Sequence, residues 1–346
     1  MLKLKIKMVD IARYLGISKA TVSLAVNGKP GVNEETRKKV LDCLEEMKRN
    51  GGKLPEVQPE PVQVQKTVNQ MIKVVVLNHR KKVVCDPELD LWTEVISTFD
   101  SEAKRLGYLY SLSYINDNGI EAESIIDECN MDIVVGVILF GTELMPEDSY
   151  LINQINKPVV LYDAELPEGR YSSVCIDNHG AVKTAMRLLK NSGAKTVKYL
   201  CTGKEIYNFK KRREAFLSEI DDKRSAETDE IIVLGNTIAE ITQNMIKWIE
   251  SHKLPDAFLF ENYQTSLGVM AALRSCGIKV PRDVKIVGID EIPSYTMADM
   301  KLTQIKVPHA ERAVMAMDIL DKEIKNILKS RMTVFAEPEV ILQESL

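Results

Sequence analysis

Residues 9–47, VDIARYLGISKATVSLAVNGKPGVNEETRKKVLDCLEEM, decide the fold at the amino end of this chain. The apolar spacing from Met8 to Leu15 predicts a short helix, and Gly16 can end it in the left-handed conformation without a Cβ penalty. Ser18 is a favourable N-cap for a second helix from Lys19 to about Val26, and a third helix follows the break NGKPG. Two short helices joined by a glycine turn and backed by a third form a helix-turn-helix domain.

The charge of this segment differs from that of the rest of the chain. Residues 1–50 contain eleven lysines and arginines against six acidic residues, whereas all 346 residues together carry a net charge of −4. A small basic segment on an acidic body predicts a polyanionic partner for that segment. A few extra lysines on an ordinary surface would give the same balance, so charge alone does not decide the question.

The second helix has the side chains expected of a recognition helix. Its exposed side is thin enough to enter the major groove of DNA, which admits one α-helix. Small hydroxyl and amide groups can hold phosphates, while Lys19, Ala20 and Leu24 face the positions of base edges. The predicted DNA-contacting residues are Ser18, Lys19, Ala20, Thr21, Ser23, Leu24, Asn27 and Lys29. The alternative is a small helical core without a role in DNA binding, which explains neither the basic charge nor the polar helix.

The motif as a whole resembles the DNA-binding domain of the LacI/GalR family of bacterial transcription regulators. The residues that match are Asp10, Ala12, Gly16, Ser18, Thr21, Val22, Ser23, Asn27, Val32, Thr36, Arg37 and Val40. The resemblance implies a repressor that binds a near-palindromic operator in double-stranded DNA as a homodimer. Leu24 departs from the family pattern, because many members have a guanine-reading arginine there. A leucine offers only apolar contact, for example to a thymine methyl group.

Residues 51–71 depart further from the family pattern. Family members usually continue into a hinge helix that wedges leucines into the minor groove. Here two glycines and three prolines oppose a helix, and the intervening valines are poor helix formers. The segment is therefore predicted to be an extended linker rather than a hinge helix.

From Ile72 onward, β-branched apolar runs alternate with amphipathic segments. Runs such as IKVVVL, DIVVGVILFG, KPVVLYD and VKIVGID predict buried strands, and segments such as LWTEVISTFDSEAKRLGY and DSYLINQIN predict helices. This alternation predicts an α/β body in which helices cover both faces of parallel sheets. Ligands of such sheets bind at the carboxyl ends of the strands.

The order of these segments resembles the effector domain of the same family, which has two lobes like periplasmic sugar-binding proteins. The implied fold is therefore a multidomain chain: an all-α helix-turn-helix domain at 1–50, a linker at 51–71 and a two-lobed periplasmic-binding-protein-like body at 72–346. The family topology further implies three crossings between the lobes. The first lobe would comprise about 72–174 and 308–334, and the second about 175–304 and 336–346. This body is expected to bind an effector and to hold the dimer together.

The sequence has no recognisable signature of catalysis or metal binding. It contains no glycine-rich dinucleotide loop, P-loop, HExxH or GxSxG motif, and its four histidines lie far apart, so we predict no catalytic residue, cofactor or metal site. The six cysteines show no CxxC spacing. No apolar run approaches the ~18–20 residues of a membrane span, and the amino end has no secretory signal. The expected location is the cytoplasm, without a membrane partner.

Four residues are candidates for an effector site. By resemblance, Arg212 matches an arginine that many members use to hold a ligand oxygen, and Asn262 and Asp290 match polar positions at strand ends. Trp92 lies where an aromatic ring could stack on a ligand. Each has a structural alternative: Arg212 could pair with a carboxylate, Asp290 could cap a turn and Trp92 could be core. Tyr263 stands where the family usually has aspartate, so a sugar-like effector is only the family default. The alternative function is a DNA-binding regulator whose second domain only dimerises or binds a protein co-regulator.

Overall fold

The computed structural model describes residues 7–29, 31–51, 70–78, 91–116, 120–166, 170–220, 230–297 and 300–346. The chain divides into two compact units, at residues 1–68 and 69–346. Most of the predicted linker, including the segment 52–69, lies outside the described residues.

The described residues of the first unit form three helices, α1 (Met8–Leu15), α2 (Lys19–Val26) and α3 (Glu34–Arg49). Gly16 ends α1 at φ 67°, in the left-handed region, and its N–H donates to the carbonyl of Ala12. The side chains of Ser18 and Asn33 cap α2 and α3 by accepting from the backbone N–H three residues later. All three helices contribute to one small core, formed by Ile11, Ala12, Leu15, Val22, Ala25, Val40, Cys43 and Met47.

The first lobe of the second unit is built on a parallel six-stranded sheet in the order β11-β5-β4-β3-β1-β2. Its strands are β1 (Met71–Leu77), β2 (Leu109–Ile115), β3 (Val134–Phe140), β4 (Val159–Tyr162), β5 (Ser172–Ile176) and β11 (Thr333–Ala336). Helices α5 (Ile120–Asn130) and α6 (Ser149–Ile152) cover one face, and α4 (Leu91–Leu106) and α12 (His309–Ile324) cover the other. The predicted helix in DSYLINQIN is thus only one turn long, because the chain leaves the helical conformation at Asn153 and returns to the sheet at Val159.

The second lobe repeats this arrangement in the order β12-β10-β9-β8-β6-β7. Its strands are β6 (Val197–Cys201), β7 (Ile231–Val233), β8 (Ala257–Phe260), β9 (Lys285–Ile289), β10 (Thr303–Lys306) and β12 (Glu339–Ile341). Its helices are α7 (Asn178–Asn191), α8 (Tyr207–Glu219), α9 (Ile238–Ser251), α10 (Tyr263–Ser275) and the single turn α11 (Ser294–Met297). The edge strand β12 is antiparallel to β10, which departs from the all-parallel expectation.

The two sheets have equivalent orders of strands, so β4 and β9 both occupy the third position. β4 is buried along its whole length and β9 is buried from Ile286 to Ile289, as central parallel strands are when helices cover both faces. The chain passes from the first sheet to the second after Ile176 and after Ala336, and back again between Lys306 and His309. The carboxyl ends of β4 and β9 therefore come together at the cleft where the lobes meet.

Candidate functional site

The predicted DNA-contacting residues lie together on α2 and the turn that follows it. Those exposed to solvent are Ser18, Lys19, Ala20, Asn27 and Lys29, and those partly buried are Thr21, Ser23 and Leu24. A Cβ atom on Gly31 would lie 3.7 Å from Cδ1 of Leu24, so that side chain partly packs against the turn. The helix therefore presents a small polar surface with one lysine, Lys19, at its amino end.

Several polar groups of this surface already bond to one another. The hydroxyls of Ser18 and Thr21 share a hydrogen bond of 2.8 Å, and Asn27 donates from Nδ2 to the carbonyl of Ser23 at 2.8 Å. A phosphate oxygen only accepts hydrogen bonds. One of the two hydroxyl protons of Ser18 and Thr21 lies in the hydrogen bond between them. The second hydroxyl proton can therefore be donated to a phosphate. These bonds restrain the orientation of the side chains that take part in them.

Arg37 of α3 fixes the end of α2. Its guanidinium donates to the carbonyls of Ala25 at 3.1 Å and Lys29 at 2.7 Å, and reaches that of Leu24 at 3.5 Å. The last carbonyls of a helix lack partners within the helix and carry partial negative charge, so a cation there is stabilising. Arg37 is one of the residues that match the family motif in the sequence. Its hydrogen bonds to the end of α2 are visible only in the structure.

In the second unit, Arg212 and Asp290 form a buried ion pair. Arg212 of α8 is 1% exposed, and its Nη1 and Nη2 atoms donate to the two carboxylate oxygens of Asp290 at 3.2 and 2.9 Å. Nη1 also donates to the carbonyl of Glu261 at 2.6 Å. Burial disfavours the charge of Arg212, but the Asp290 carboxylate together with Tyr199 and Glu261 outweighs that effect, so the pKa of the guanidinium lies above its ordinary value. Two residues that were predicted separately as effector contacts therefore lie together, and Arg212 is bound to a carboxylate of its own chain, which was the structural alternative for it.

The first lobe has a matching ion pair that sequence reasoning missed. Arg312 of α12 is fully buried and donates from Nη2 to Oδ1 of Asp163 at 2.6 Å. Its guanidinium carbon lies 4.4 Å from the ring centroid of Tyr162, a cation–π contact. Asp163 also accepts from the hydroxyl of Thr142 at 2.7 Å.

The two aspartates occupy equivalent places in the two lobes. Asp163 directly follows β4 and Asp290 directly follows β9, and both have positive φ, 67° and 71°. Aspartate is one of the few residues other than glycine that enter this region, because its short side chain can bond locally. Both carboxylates are thereby placed at the carboxyl ends of the strands, where parallel sheets bind ligands.

Two asparagines connect the ion pairs. Arg212 donates from Nε to Oδ1 of Asn178 at 2.9 Å, and Asn178 donates from Nδ2 to Oδ1 of Asn208 at 2.7 Å. Asn208 in turn donates from Nδ2 to Oδ2 of Asp163 at 3.0 Å. Because Asn208 lies on α8 and Asp163 follows β4, this last bond joins the two lobes.

A cavity of about 70 Å³ remains beside this network. Arg212, Asn262 and Asp290 all line it, so three of the four predicted effector residues are brought together. Asn262 also caps α10, since its Oδ1 accepts from the N–H and the hydroxyl of Thr265, both at 2.9 Å. The fourth, Trp92, belongs to α4, but its side chain lies outside the described residues.

His309, one of the four histidines for which the sequence predicted no catalytic or metal-binding role, also lines the cavity. Burial, with a smaller effect from the Arg312 charge, lowers the pKa of its imidazole to about 4. Its Nδ1 lies 3.5 Å from Nη1 of Arg312, so the neutral ring offers an acceptor to that cation. His309 is therefore uncharged at neutral pH.

Two family descriptions match separate parts of the chain. "Bacterial regulatory proteins, lacI family" matches residues 7–48, which contain the three helices of the first unit. "Periplasmic binding protein-like domain" matches residues 186–346, which contain most of the second lobe together with α12 and β11 of the first.

Individual proteins match over nearly the whole chain. Catabolite control protein A of Priestia megaterium is 25% identical over 321 residues, covering 92% of each chain. The HTH-type transcriptional regulator GalS of Salmonella typhimurium is 26% identical over 314 residues, covering 90% of this chain and 87% of that protein. The structure also resembles the lac repressor dimer solved with operator and an anti-inducer, with a TM-score of 0.69, 18% identity and coverage of 98% of both chains. Within the described part of the chain, no helix has the length and apolarity needed to cross a bilayer.

Proposed function

The chain belongs to the lacI family of bacterial regulatory proteins, and on that premise we propose that it is a homodimeric repressor that binds a near-palindromic operator through α2. The observation that carries the proposal is the surface of α2. It is capped at its start by Ser18, clamped at its end by Arg37, and exposes Lys19 and Ala20 between them. A helix held in this way can enter the major groove without rearranging.

The residues of α2 divide into two groups by chemistry. Lys19, Ala20 and Leu24 are proposed to face base edges, Lys19 as a donor to guanine and Leu24 as an apolar contact to a thymine methyl group. The other candidates, Ser18, Thr21, Ser23, Asn27 and Lys29, are proposed to hold phosphates and so to set the position of the helix on the duplex.

Selection of bound sequences from a random DNA pool tests this proposal. The expected product is two half-sites in inverted orientation, about one helical turn or roughly 34–36 Å apart. Lys19→Ala is expected to cost about 1–3 kcal/mol of binding free energy and to relax preference at one position of each half-site. Lys48→Ala, at an exposed position in the last turn of α3, removes the same charge and should leave the preference unchanged. If Lys19→Ala keeps both the affinity and the preference of the original protein, the assignment of Lys19 to a base is wrong.

The second unit is proposed to hold the dimer and to bind a small polar effector at the cavity lined by Arg212, Asn262 and Asp290. Support comes from the family default of a sugar-like ligand and from polar groups that converge at strand ends. Sedimentation of the full chain should show a dimer at micromolar concentration. Thermal unfolding in the presence of D-glucose, D-galactose, D-ribose and adenosine should show a stabilising shift for at least one class, because a ligand that binds the folded state stabilises it.

A second candidate function has an observation in its favour. The cavity of about 70 Å³ is small beside the roughly 300–1,000 Å³ of typical ligand pockets. Arg212 already donates to Asn178, Glu261 and Asp290. A second unit that only dimerises or binds a protein co-regulator would account for both facts. An absence of any shift across the panel, with operator binding intact, would favour this candidate.

A further inference from the structure

The two buried ion pairs belong to different lobes, and Asn208 connects them. Asn208 is 3% exposed and comes from α8 of the second lobe. Its Nδ2 donates to Asp163 of the first lobe at 3.0 Å, while its Oδ1 accepts from Asn178 at 2.7 Å. The amide nitrogen of Asn208 therefore bonds to the first lobe, and its amide oxygen bonds to the second.

The hydrogen bonds run in one direction from the cation to the carboxylate. The guanidinium of Arg212 can only donate, and the ionised carboxylate of Asp163 can only accept. The amides of Asn178 and Asn208 must therefore each accept on the Arg212 side and donate on the Asp163 side, as observed. A chain of aligned bonds in a buried setting is mutually reinforcing and costly to break at one link.

The charged groups of the network are paired without an added molecule. Asp163 accepts from Thr142, Asn208 and Arg312, and the charge of Arg212 is balanced by Asp290. The space that remains, about 70 Å³, corresponds to a few water molecules. Among the polar side-chain atoms of these residues, Nε of Arg312 is buried without a hydrogen-bond partner in the described part of the chain. The bonds that join the lobes are therefore made by the chain itself, and one donor of the first lobe stays unsatisfied.

We propose that Asn208 is the positioning residue through which the two lobes close on each other in the absence of an effector. The inference rests on the proposed effector function only in treating this cleft as the effector site. An effector then competes with the Asn208–Asp163 bond, and its binding shifts an equilibrium that already favours the closed form. The neighbouring Tyr207, whose hydroxyl donates to Oε2 of Glu165 at 2.9 Å, adds a second bond between the lobes on the more exposed side.

The test compares full-length proteins in solution without ligand, by small-angle X-ray scattering and by hydrogen exchange. Asn208→Ala removes the bridge, and Asn208→Asp places a second carboxylate against Asp163. Asn244→Ala is the matched control, because its Nδ2 donates to the carbonyl of Leu234 within the second lobe. Circular dichroism checks that each variant is folded.

The original protein and Asn244→Ala are expected to give the same radius of gyration. Asn208→Ala should expand, and Asn208→Asp should expand further because two carboxylates repel each other. Loss of a bond to a charged acceptor should lower the closing constant roughly tenfold or more. Amides at residues 141–145 and at the start of α8, which face each other across the cleft, should exchange faster in both Asn208 variants.

Two results would overturn the inference. The first is identical scattering and exchange for Asn208→Ala and Asn244→Ala. The second is an original protein that is already expanded and contracts only when a sugar or nucleoside is added, which would leave the proposed effector function standing. Conversely, a closed original protein that responds to none of these ligands supports the inference and counts against the effector function.

Discussion

Removing the positive charge of Arg212 should leave the carboxylate of Asp290 buried without its partner. The pair is well shielded, with side-chain exposures of 2% for Arg212 and 13% for Asp290. Breaking a buried ion pair by removing one partner costs about 3–5 kcal/mol, because the remaining charge has lost its compensation. Arg212→Met has a similar length and no charge, so we expect it to lower the free energy of unfolding of the second unit by that amount.

A second substitution, at Asp290, should restore most of the free energy of unfolding that Arg212→Met removes. Asp290→Asn removes the unpaired charge and suits the backbone, since asparagine tolerates the positive φ of 71° at this position. Replacing both members of a buried pair by uncharged groups is often close to neutral. The double variant Arg212→Met with Asp290→Asn should therefore be more stable than Arg212→Met alone, with a coupling of about 1–3 kcal/mol.

Urea unfolding followed by tryptophan fluorescence measures these differences. Both tryptophans, Trp92 and Trp248, belong to the second unit, so the signal is independent of the helix-turn-helix domain. The control is Arg282→Met, which breaks an ion pair with Asp283 whose arginine is 75% exposed, and such surface pairs contribute about 0–1 kcal/mol. If Arg212→Met costs no more than Arg282→Met, or if the double variant is the less stable one, the pair does not have the role given to it here.

Two further substitutions test other parts of the molecule. Arg37→Met removes the hydrogen-bond donors at the end of α2, so it should destabilise the first unit by about 1–3 kcal/mol and speed amide exchange in residues 27–29. The control is Arg49→Met, which should change neither quantity because the side chain of Arg49 is 80% exposed. The pKa of His309 is lowered to about 4, so the folded protein binds fewer protons than the unfolded chain between about pH 4 and 6.5. Its contribution to stability should be complete above pH 6.5 and should fall by about 3 kcal/mol as the pH drops to about 4. Urea unfolding at pH 7 and pH 4.5 measures this decrease in the free energy of unfolding. The decrease should be smaller in His309→Gln than in the original protein, and unchanged in His179→Gln.

The helix-turn-helix domain could be predicted almost residue by residue because its signals are local. Gly16 ends α1 and Ser18 and Asn33 cap the next two helices, each acting on residues within one turn. Such caps depend on three or four neighbouring residues, which the sequence displays directly. The contribution of Leu24 was less visible, because its contact with Gly31 depends on how the turn folds back.

The strands of the body were predictable for a related reason. A strand buried on both faces needs a continuous apolar run, and β1, β3, β4 and β9 all have one. The antiparallel pairing of β12 was not predictable, because its short segment carries no apolar run of that kind. Its direction depends on the last crossing of the chain between lobes.

The cavity lined by Arg212, Asn262 and Asp290 was only half predictable, because the bonds around it join distant parts of the chain. Arg212 and Asp290 were found by resemblance, and the structure pairs them across 78 positions. Arg312 and Asp163 are 149 positions apart and come from segments that show no local sign of pairing. Between Asp163 and Arg312 the chain crosses from the first lobe to the second and back again, so their proximity depends on the folded structure.

The two ion pairs, Arg212–Asp290 and Arg312–Asp163, occupy equivalent places in the two lobes. Asp163 and Asp290 follow equivalent strands and both adopt positive φ, a conformation that costs free energy unless the surroundings hold it. In each lobe a buried arginine supplies that hold through the carboxylate. The two carboxylates are fixed at the carboxyl ends of the strands that meet at the cleft. The short amide side chain of Asn208 then reaches from α8 of the second lobe to Asp163 of the first. On the proposal that an effector binds in this cleft, the ligand replaces the Asn208–Asp163 bond and leaves both ion pairs in place, so small ligands with hydroxyl or amide groups are favoured over bulky apolar ones.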